Sequence, residues 1–400
     1  MISINDNLPD TRITSAAGTG KPTYIPGLEN VIAARTHLSH VEGEKGGLFI
    51  AGFPLEEIAP RASFEEMVYL LWHDTLPDAA ALDEFRRALA AERTLAPVTR
   101  RVLEAAAAQN VPPMDALRMA AGTLDIQAYG GDLWGQGAAV LARLATIVAV
   151  YVHLVKDESP IEPRSDLDYA ANYLYMLWGR EPNAVHVRAL ETYLNTVIDH
   201  GLNASTFTAR VIISTGSDLV SAVVGAIGAL KGPLHGGAPG PALDMVLEIG
   251  EATRAEDYVR GKLERKERLM GFGHRVYRAR DPRADVLGAA ADRLYQEGGD
   301  RQLYALAKSV EQTALRLLAE YHPERKLQTN VEFYTALLLH GLGLPASFFT
   351  PTFAISRAAG WIAHAVEQKE QNRLIRPQSE YVGSRDRRWQ ELEDRDRVKR

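Results

Sequence analysis

The sequence contains no cysteine among its 400 residues, which excludes disulfide bonds, thiolate metal ligands and cysteine nucleophiles. A strong charge of either sign is also missing, because 51 acidic residues nearly balance 45 basic ones and leave a net charge of -6. The chain therefore lacks the basic footprint of a protein that binds nucleic acid. It also lacks the excess of positive charge that would attract it to an anionic membrane surface.

No apolar run is long and clean enough to predict a membrane span. The most apolar stretch, residues 138–155, contains Arg143 and His153, which would be costly in lipid, so it predicts a buried core helix. The first residues carry early acids and no apolar segment, so they do not resemble a signal peptide. We therefore expect a cytoplasmic protein that has no membrane partner.

Alternating apolar and polar runs of strand length are scarce, and they predict little β structure. The segment Gly47–Ile50 is an exception and predicts a strand of a short N-terminal ribbon. From Ser63 onward the apolar spacing is largely helical, and the helices are interrupted by proline and glycine. The sequence thus predicts a mainly α, multi-helical fold.

One predicted helix, residues 217–230 (SDLVSAVVGAIGAL), is unusually rich in small residues. Ser217 is placed to cap its N-terminus, with Asp218 in the first turn. Gly225 and Gly228 lower helix propensity, so each needs a packing reason. Small side chains let another backbone approach closely, either inside the core or across a subunit interface.

Three of the eleven histidines stand in glycine-rich or polar turns: His200, His235 and His274. Glycine lets the backbone approach a ligand and leaves N–H groups free to donate. An imidazole held at a helix end can stay neutral and donate a hydrogen bond to a developing oxyanion. A zinc site is the competing interpretation, but the sequence has no HExxH helix, and the spacings of these histidines match no short ligand motif.

Arginines crowd the segment that follows His274. Arg275, Arg278, Arg280 and Arg283 surround Asp281, and guanidinium groups bind carboxylate or phosphate through paired hydrogen bonds. The structural alternative is a solvated basic helix start. No P-loop or GxGxxG motif accompanies these arginines, so a phosphorylated ligand would be held in another way.

Glu332 lies in the apolar and aromatic run NVEFYTALLL. Burial raises a carboxyl pKa, which makes the group a better base for a carbon acid. A single half-buried glutamate is more often structural. Glu332 is a candidate catalytic residue only because the sequence also contains the clustered histidines and arginines.

Taken together, these segments resemble the citrate synthase family over nearly the whole chain. The opening GLENVIAARTHLSHVEGEKGGLFIAGFPLEEIA (from Gly27) is similar to the N-terminal strand region of that family. The other matching runs keep the order of the family, and they are DHGLNASTFTARV (from Asp199), GALKGPLHGGAPGP (from Gly228), MGFGHRVYRARDPRAD (from Met270), NVEFYTALLL (from Asn330), TPTFAISRAAGWIAHAVEQ (from Thr350) and LIRPQSEYVG (from Leu374).

The resemblance implies an almost entirely α-helical homodimer whose protomers have a large and a small domain. Residues 1–235 and 338–400 would form the large domain, and residues 236–337 the small domain that closes over substrate. The implied reaction condenses acetyl-CoA with oxaloacetate and hydrolyses the thioester to give citrate and CoA. Acyl-CoA is then a substrate, and no cofactor or metal is expected.

The resemblance also implies a role for each candidate site residue. His235 would stabilise the enol of the thioester, Glu332 would take the α-proton, and His274 would polarise the ketone of the oxo acid. The carboxylates of the oxo acid would be bound by His200, Arg283, Arg357 and Arg376, the last reaching the site of the neighbouring subunit. Coenzyme A would be bound by Arg278 and by the backbone of Met270, Gly271 and Gly273.

The sequence departs from the family pattern at three positions. Glu332 replaces the usual aspartate base, Gly201 replaces an acid after the first histidine, and Pro239 replaces an asparagine and is expected to stiffen its turn.

Two other functions remain open. One is a 2-methylcitrate synthase that uses propionyl-CoA, because a pocket discriminates one methylene only weakly. The other is a non-catalytic member of the fold that senses acyl-CoA or carboxylates.

Overall fold

The computed structural model describes residues 24–236, 239–273, 280–325, 327–393 and 395. They fall into two units, one from the described residues of 1–35 and 376–400, and one from residues 36–375. The terminal unit contains a turn of 3-10 helix at Pro26–Leu28. The larger unit contains the strands and the α-helices. The division into domains at residues 236 and 337 stays a prediction.

The N-terminal ribbon is an antiparallel sheet of β1 (Ser39–Glu42), β2 (Gly47–Ile50) and β3 (Phe53–Pro54). Ser39 pairs with Ile50, and Phe49 pairs with Pro54. Leu48 and Ile50 point to the same face of the sheet and are buried in the core. The strand predicted at Gly47–Ile50 is therefore confirmed.

The rest of the larger unit is helical, as the sequence predicts. The helices up to residue 230 are α1 (Leu55–Ile58), α2 (Phe64–His73), α3 (Ala79–Ala91), α4 (Pro97–Ala108), α5 (Pro113–Ala121), α6 (Leu133–Leu154), α7 (Tyr169–Trp178), α8 (Ala184–Val197), α9 (Ala204–Ser214) and α10 (Leu219–Leu230). The helices after it are α11 (Pro239–Ile249), α12 (Ala255–Glu264), α13 (Pro282–Glu297), α14 (Arg301–Tyr321), α15 (Val331–Gly341) and α16 (Phe349–Glu370). Turns of 3-10 helix lie at Gln127–Tyr129, Ala252–Arg254 and Ala346–Phe348.

Helix α6 is long and apolar enough to cross a membrane, but α3, α4, α5, α7 and α16 bury it inside the larger unit. Its two polar interruptions find partners there. Arg143 pairs with Glu92 at 2.6 Å, and Nε2 of His153 lies 2.7 Å from the carbonyl oxygen of Met176. A helix that is apolar on all sides needs neighbours on all sides. The core helix predicted over residues 138–155 is confirmed.

Helix α10 starts one residue later than the sequence predicts. Asp218, not Ser217, is the N-cap, because its carboxylate accepts the backbone N–H of Ser221 at 2.7 Å. Gly225 has a packing reason inside the chain, since a Cβ there would lie 2.2 Å from Cδ1 of Ile212 on α9. At Gly228 the nearest atom to such a Cβ is Cδ of Arg118, at an ordinary 3.8 Å.

Helix α16 organises the centre of the larger unit. It packs against α6, α8, α9 and α10, and nearly all of its side chains from Phe349 to Val366 are buried. Helix α13 packs along α8, and α15 contacts both of them. This arrangement brings the C-terminal end of α8 and the N-terminal ends of α13 and α15 to one place beside α16.

Candidate active site

A small buried cavity lies where α8, α13, α15 and α16 meet the turn that follows α10. Its volume is about 30 Å³, which is room for roughly one or two water molecules. Its lining residues are Tyr193, Val197, Gly236, Arg283, Val331, Glu332, Thr335 and Phe353. The predicted base Glu332 and the predicted substrate-binding Arg283 therefore share one cavity, which also touches the residue after His235.

Glu332 lies in the first turn of α15 because Asn330 caps that helix. The side-chain oxygen of Asn330 accepts the backbone N–H of Glu332 at 3.0 Å. Burial raises the pKa of Glu332 to about 7, although the positive charges of Arg283 and Arg357 oppose that rise. The carboxyl is thus suited to accept a proton near neutral pH, as the sequence analysis predicts for a buried glutamate in this run.

The segment from Gly271 to Gly273 is held against the residues that lead into α15. The amide of Asn330 donates to the carbonyl of Gly271 at 2.9 Å, and the amide of Gly273 donates to the carbonyl of Gln328 at 2.8 Å. The side chain of Asn330 also donates to the carbonyl of Gly273 at 2.7 Å. Gly271 and Gly273 have φ of +87° and +78°, which other residues rarely adopt. The predicted CoA-binding backbone is therefore tied to the helix that carries Glu332.

His235 lies in the turn after α10, and Ser205 on α9 contacts its ring. The backbone amide of Ser205 donates to Nε2 of His235 at 3.3 Å, and the hydroxyl of Ser205 lies 2.8 Å from the same nitrogen. A backbone N–H can only donate, so Nε2 is an acceptor and the neutral ring carries its proton on Nδ1. The indole N–H of Trp361 holds the Ser205 hydroxyl at 3.0 Å.

The surroundings of His235 keep its ring neutral. Burial, together with the positive charge of Arg357, lowers the pKa of His235 to about 4. The opposite face of the turn is fixed by α16, where the hydroxyl of Thr350 donates to the carbonyl of Gly236 at 2.8 Å. A fixed, neutral imidazole with one N–H can donate a hydrogen bond to an oxyanion.

Arg357 is a buried cation on α16, with only 2% of its surface exposed. Its Nε donates to the carbonyl of Val197 at 2.6 Å, and its guanidinium lies over the ring of Phe353 at 4.6 Å. Within the described part of the chain, no carboxylate forms an ion pair with it, and no hydrogen bond engages its two terminal nitrogens. Burial lowers the pKa of Arg357 to about 10, so it remains charged near neutral pH. Such a group is prepared to bind an anion.

Arg283 follows the N-cap of α13 and is held by that cap. The carboxylate of Asp281 accepts Nε of Arg283 at 3.0 Å and its terminal Nη2 at 2.9 Å, and it also accepts the backbone N–H of Arg283. The same carboxylate accepts the amide of Val331 at 3.3 Å. One buried aspartate therefore fixes the guanidinium in the cavity and joins the starts of α13 and α15.

His200 lies in the bend between α8 and α9, and the β ribbon supports this bend. The hydroxyl of Ser39 on β1 donates to Asp199 and accepts the amide of Gly201 at 2.8 Å. Gly360 on α16 allows the bend to lie close, because a Cβ there would be 2.5 Å from the carbonyl of Ile198. The ribbon therefore takes part in holding a predicted substrate-binding histidine.

A buried polar network behind this bend was not predicted from the sequence. Nε2 of His364 lies 3.2 Å from Asp199, and Nδ1 of His364 lies 3.0 Å from a guanidinium nitrogen of Arg210, which also pairs with Glu367 at 2.6 Å. Arg210 has only donors, so Nδ1 must accept and Nε2–H must point to Asp199. His364 is thus a satisfied core residue that orders the bend carrying His200.

Three predicted site residues cannot be placed in this cavity. His274 and Arg278 lie outside the described residues. Arg376 is exposed in the terminal unit, and its predicted role stays a prediction. Met270 is half-buried and packs against the core at the start of the glycine segment. Pro239 is the first residue of α11, and its expected stiffening of the preceding turn stays a prediction.

The described site combines a carboxyl that titrates near neutral pH, a neutral imidazole with a fixed N–H, and buried guanidinium groups. These are the groups needed to take a proton from carbon, to stabilise the resulting enolate and to bind a carboxylate close by. The fold and the site thus define an enzyme class that removes a proton from a carbon atom next to a carbonyl group.

Comparisons with known proteins agree with this class. Residues 27–378 match the family model described as citrate synthase, C-terminal domain. Citrate synthase 2 of Bacillus subtilis is 40% identical over 93% of this chain and all of its own length. A 2-methylcitrate synthase of Shewanella oneidensis is 37% identical over 89% of this chain and 94% of its own. One similar solved structure is a ternary complex of Thermoplasma acidophilum citrate synthase with carboxymethyl coenzyme A and oxaloacetate. It matches with a TM-score of 0.82 and 28% sequence identity, over 92% of this chain and 98% of its own.

The chain belongs to the citrate synthase family. It is an enzyme of the citrate synthase type, a carbon acyltransferase, and the mainly α fold predicted from the sequence is confirmed.

Proposed function

We propose that this enzyme condenses acetyl-CoA with oxaloacetate and hydrolyses the product to citrate and CoA. The observation that carries the proposal is the shared cavity of Glu332, whose carboxyl titrates near neutral pH, and the guanidinium of Arg283. A base for a carbon acid and a cation for a carboxylate are thus in one place. The ternary complex of the Thermoplasma relative with a CoA derivative and oxaloacetate supports the same pair of ligands.

In the proposed first step, Glu332 takes a proton from the methyl carbon of the thioester. Nδ1–H of His235 donates to the thioester oxygen, on which negative charge develops, and Ser205 keeps the ring in the tautomer that can do so. The carbon atom then attacks the keto carbon of oxaloacetate. The keto oxygen takes up one proton, which balances the proton that Glu332 removed, and becomes a hydroxyl. Water finally cleaves the C–S bond and releases the CoA thiol. The steps are acid–base chemistry, so the proposal requires no redox cofactor or metal.

The oxo acid is held by positive charge in this proposal. Arg283 and Arg357 bind its carboxylates, with His200 beside them and Arg376 contributed by the neighbouring subunit. His274 polarises the ketone, and Arg278 with the backbone at Met270, Gly271 and Gly273 binds coenzyme A. Arg357 supports this assignment most directly. Its guanidinium is buried, its terminal nitrogens form no hydrogen bond with the described residues, and such a group is stabilised when an anion binds.

We also propose a cytoplasmic homodimer, with α5 and α10 in the interface. Leu234, next to His235, is 88% exposed, and Met119 on α5 is 43% exposed. A Cβ added at Gly228 on α10 would lie 3.8 Å from its nearest neighbour outside its own helix in the described chain, Cδ of Arg118, so the glycine leaves room for a second backbone. Sedimentation of the full chain tests the dimer, and a monomer at micromolar concentration would contradict it.

The test of the proposed reaction is release of the CoA thiol from acetyl-CoA, with and without oxaloacetate, alongside the same assay with propionyl-CoA. We expect release that depends on oxaloacetate and is faster with acetyl-CoA. Faster release from propionyl-CoA would instead identify a 2-methylcitrate synthase. Binding of oxaloacetate without any thiol release would identify a non-catalytic sensor.

A further inference from the structure

Tyr193 on α8 is fully buried, yet its hydroxyl makes no hydrogen bond in the described part of the chain. Other buried tyrosines of the same unit do satisfy theirs. Tyr151 donates to the carbonyl of Val111, Tyr169 to that of Leu141 and Tyr295 to that of Leu337. The hydroxyl of Tyr173 bonds the hydroxyl of Thr352. A buried hydroxyl without a partner destabilises the folded state, so this exception calls for an explanation.

The surroundings of Tyr193 point to a ligand as the missing partner. The residue lines the same cavity as Glu332, Arg283 and Phe353. It also lies within electrostatic range of Arg357, whose terminal nitrogens have no hydrogen bond in the described chain. The orphan O–H lies at the cavity, and the orphan guanidinium fork lies over Phe353, whose side chain lines the same cavity. An anionic oxygen bound there would satisfy both groups.

We propose that Tyr193 is a further substrate-binding residue, whose hydroxyl donates a hydrogen bond to the carboxylate of the oxo acid that Arg357 holds. This inference rests on the proposed function, because it takes a dicarboxylate oxo acid as the ligand. The O–H is preferred over a second cation because it adds no charge beside Glu332, where a further cation would lower the pKa of the base.

This role has a signature that a structural role lacks. Tyr193→Phe removes an unsatisfied hydroxyl and leaves the packed ring, so the melting temperature of the unliganded protein should stay the same or rise. The hydrogen bond to a charged carboxylate is lost, so binding of oxaloacetate should weaken roughly ten- to a hundredfold. The affinity for the acyl-CoA should change little.

The experiment compares full-length wild type, Tyr193→Phe and Tyr173→Phe. Tyr173 is the matched control, because it is as deeply buried on α7 but bonds Thr352 at 2.9 Å and does not line the cavity. Steady-state kinetics give KM for oxaloacetate, KM for acetyl-CoA and kcat. Thermal unfolding is followed with and without saturating oxaloacetate. We expect Tyr193→Phe to raise KM for oxaloacetate about tenfold or more and to reduce the thermal shift by oxaloacetate, and Tyr173→Phe to lower the melting temperature alone.

Two results would overturn the inference. One is a Tyr193→Phe protein that melts lower than wild type and keeps its KM for oxaloacetate, which would make the hydroxyl structural. The other is an unchanged KM for oxaloacetate with a lower kcat and a displaced acidic limb of the pH profile. That result would mean that the hydroxyl of Tyr193 acts on Glu332 and not on the substrate. Failure of the proposed function is separate, because it appears as absent thiol release in wild type. The thermal shift by oxaloacetate then still tests Tyr193 without turnover.

Discussion

The backbone amide of Ser205 donates to Nε2 of His235, and this single contact decides which ring nitrogen keeps the proton. The pKa of His235, lowered to about 4 by burial and by the charge of Arg357, keeps the ring neutral at working pH. Nδ1–H is then the only donor that the ring has. The N-terminus of α9 thus prepares a histidine that lies 30 residues away in sequence to act on a thioester oxygen.

Ser205→Ala tests that relationship, because it removes the hydroxyl and keeps the backbone amide. The imidazole loses the contact of its Nε2 with the hydroxyl, Trp361 loses its acceptor, and the side-chain oxygen of Asn203 loses the hydroxyl as a donor. We expect kcat to fall roughly three- to thirtyfold, with KM for oxaloacetate nearly unchanged. Thr208→Ala on the same helix is the control. That hydroxyl donates to the carbonyl of Ala204 within its own helix, so the variant should keep wild-type kcat. Wild-type kcat in Ser205→Ala would show that the amide suffices to hold the ring.

The pH dependence of turnover should follow Glu332. Burial raises its pKa to about 7, and the group must be deprotonated to act as a base. Activity should therefore fall about tenfold per pH unit below about pH 7 and level off above it. His235, with its pKa near 4, stays neutral over that range and adds no limb. A kcat/KM profile in acetyl-CoA that is flat down to pH 5 would contradict the assignment.

His364→Leu should weaken substrate binding although His364 lies outside the cavity. The change leaves Asp199 without the N–H of the histidine and Arg210 without its acceptor at Nδ1. We expect the protein to lose about 3 kcal/mol of stability or more, because buried charged groups lose a partner. KM for oxaloacetate should rise with little change in KM for acetyl-CoA, since the bend that carries His200 loosens. Denaturant unfolding and steady-state kinetics measure the two effects, and lower stability with an unchanged KM would limit the network to a structural role.

The helices and the N-terminal strand could be predicted from the sequence because the patterns that indicate them are local. The strand at Gly47–Ile50 and the apolar helix α6 lie where composition and spacing predict them. The cap of α10 was placed one residue early, because Ser217 and Asp218 both fit the N-cap pattern and only the geometry decides between them.

The support of the site could not be predicted, because its contacts join residues that are far apart in sequence. Ser39 and Asp199 are separated by 160 positions, and His364 and Asp199 by 165. Neither pair has a short-range pattern. The orphan hydroxyl of Tyr193 is likewise visible only once every neighbour in the core is known. Glu332 was singled out by its apolar and aromatic run and Arg283 by the cluster of arginines, and the resemblance to the citrate synthase family implied their roles.

The central claim is that Glu332 is the base, and Glu332→Gln tests it most directly. Glu191→Gln is the matched control, because burial raises the pKa of Glu191 to about 7 as well, yet this carboxylate pairs with Arg188 and does not line the cavity. The measurement is thiol release from acetyl-CoA with oxaloacetate, together with the thermal shift that oxaloacetate produces. We predict that Glu332→Gln loses turnover by about a thousandfold or more and keeps the thermal shift, while Glu191→Gln keeps both. Turnover near the wild-type rate in Glu332→Gln would mean that another group takes the proton.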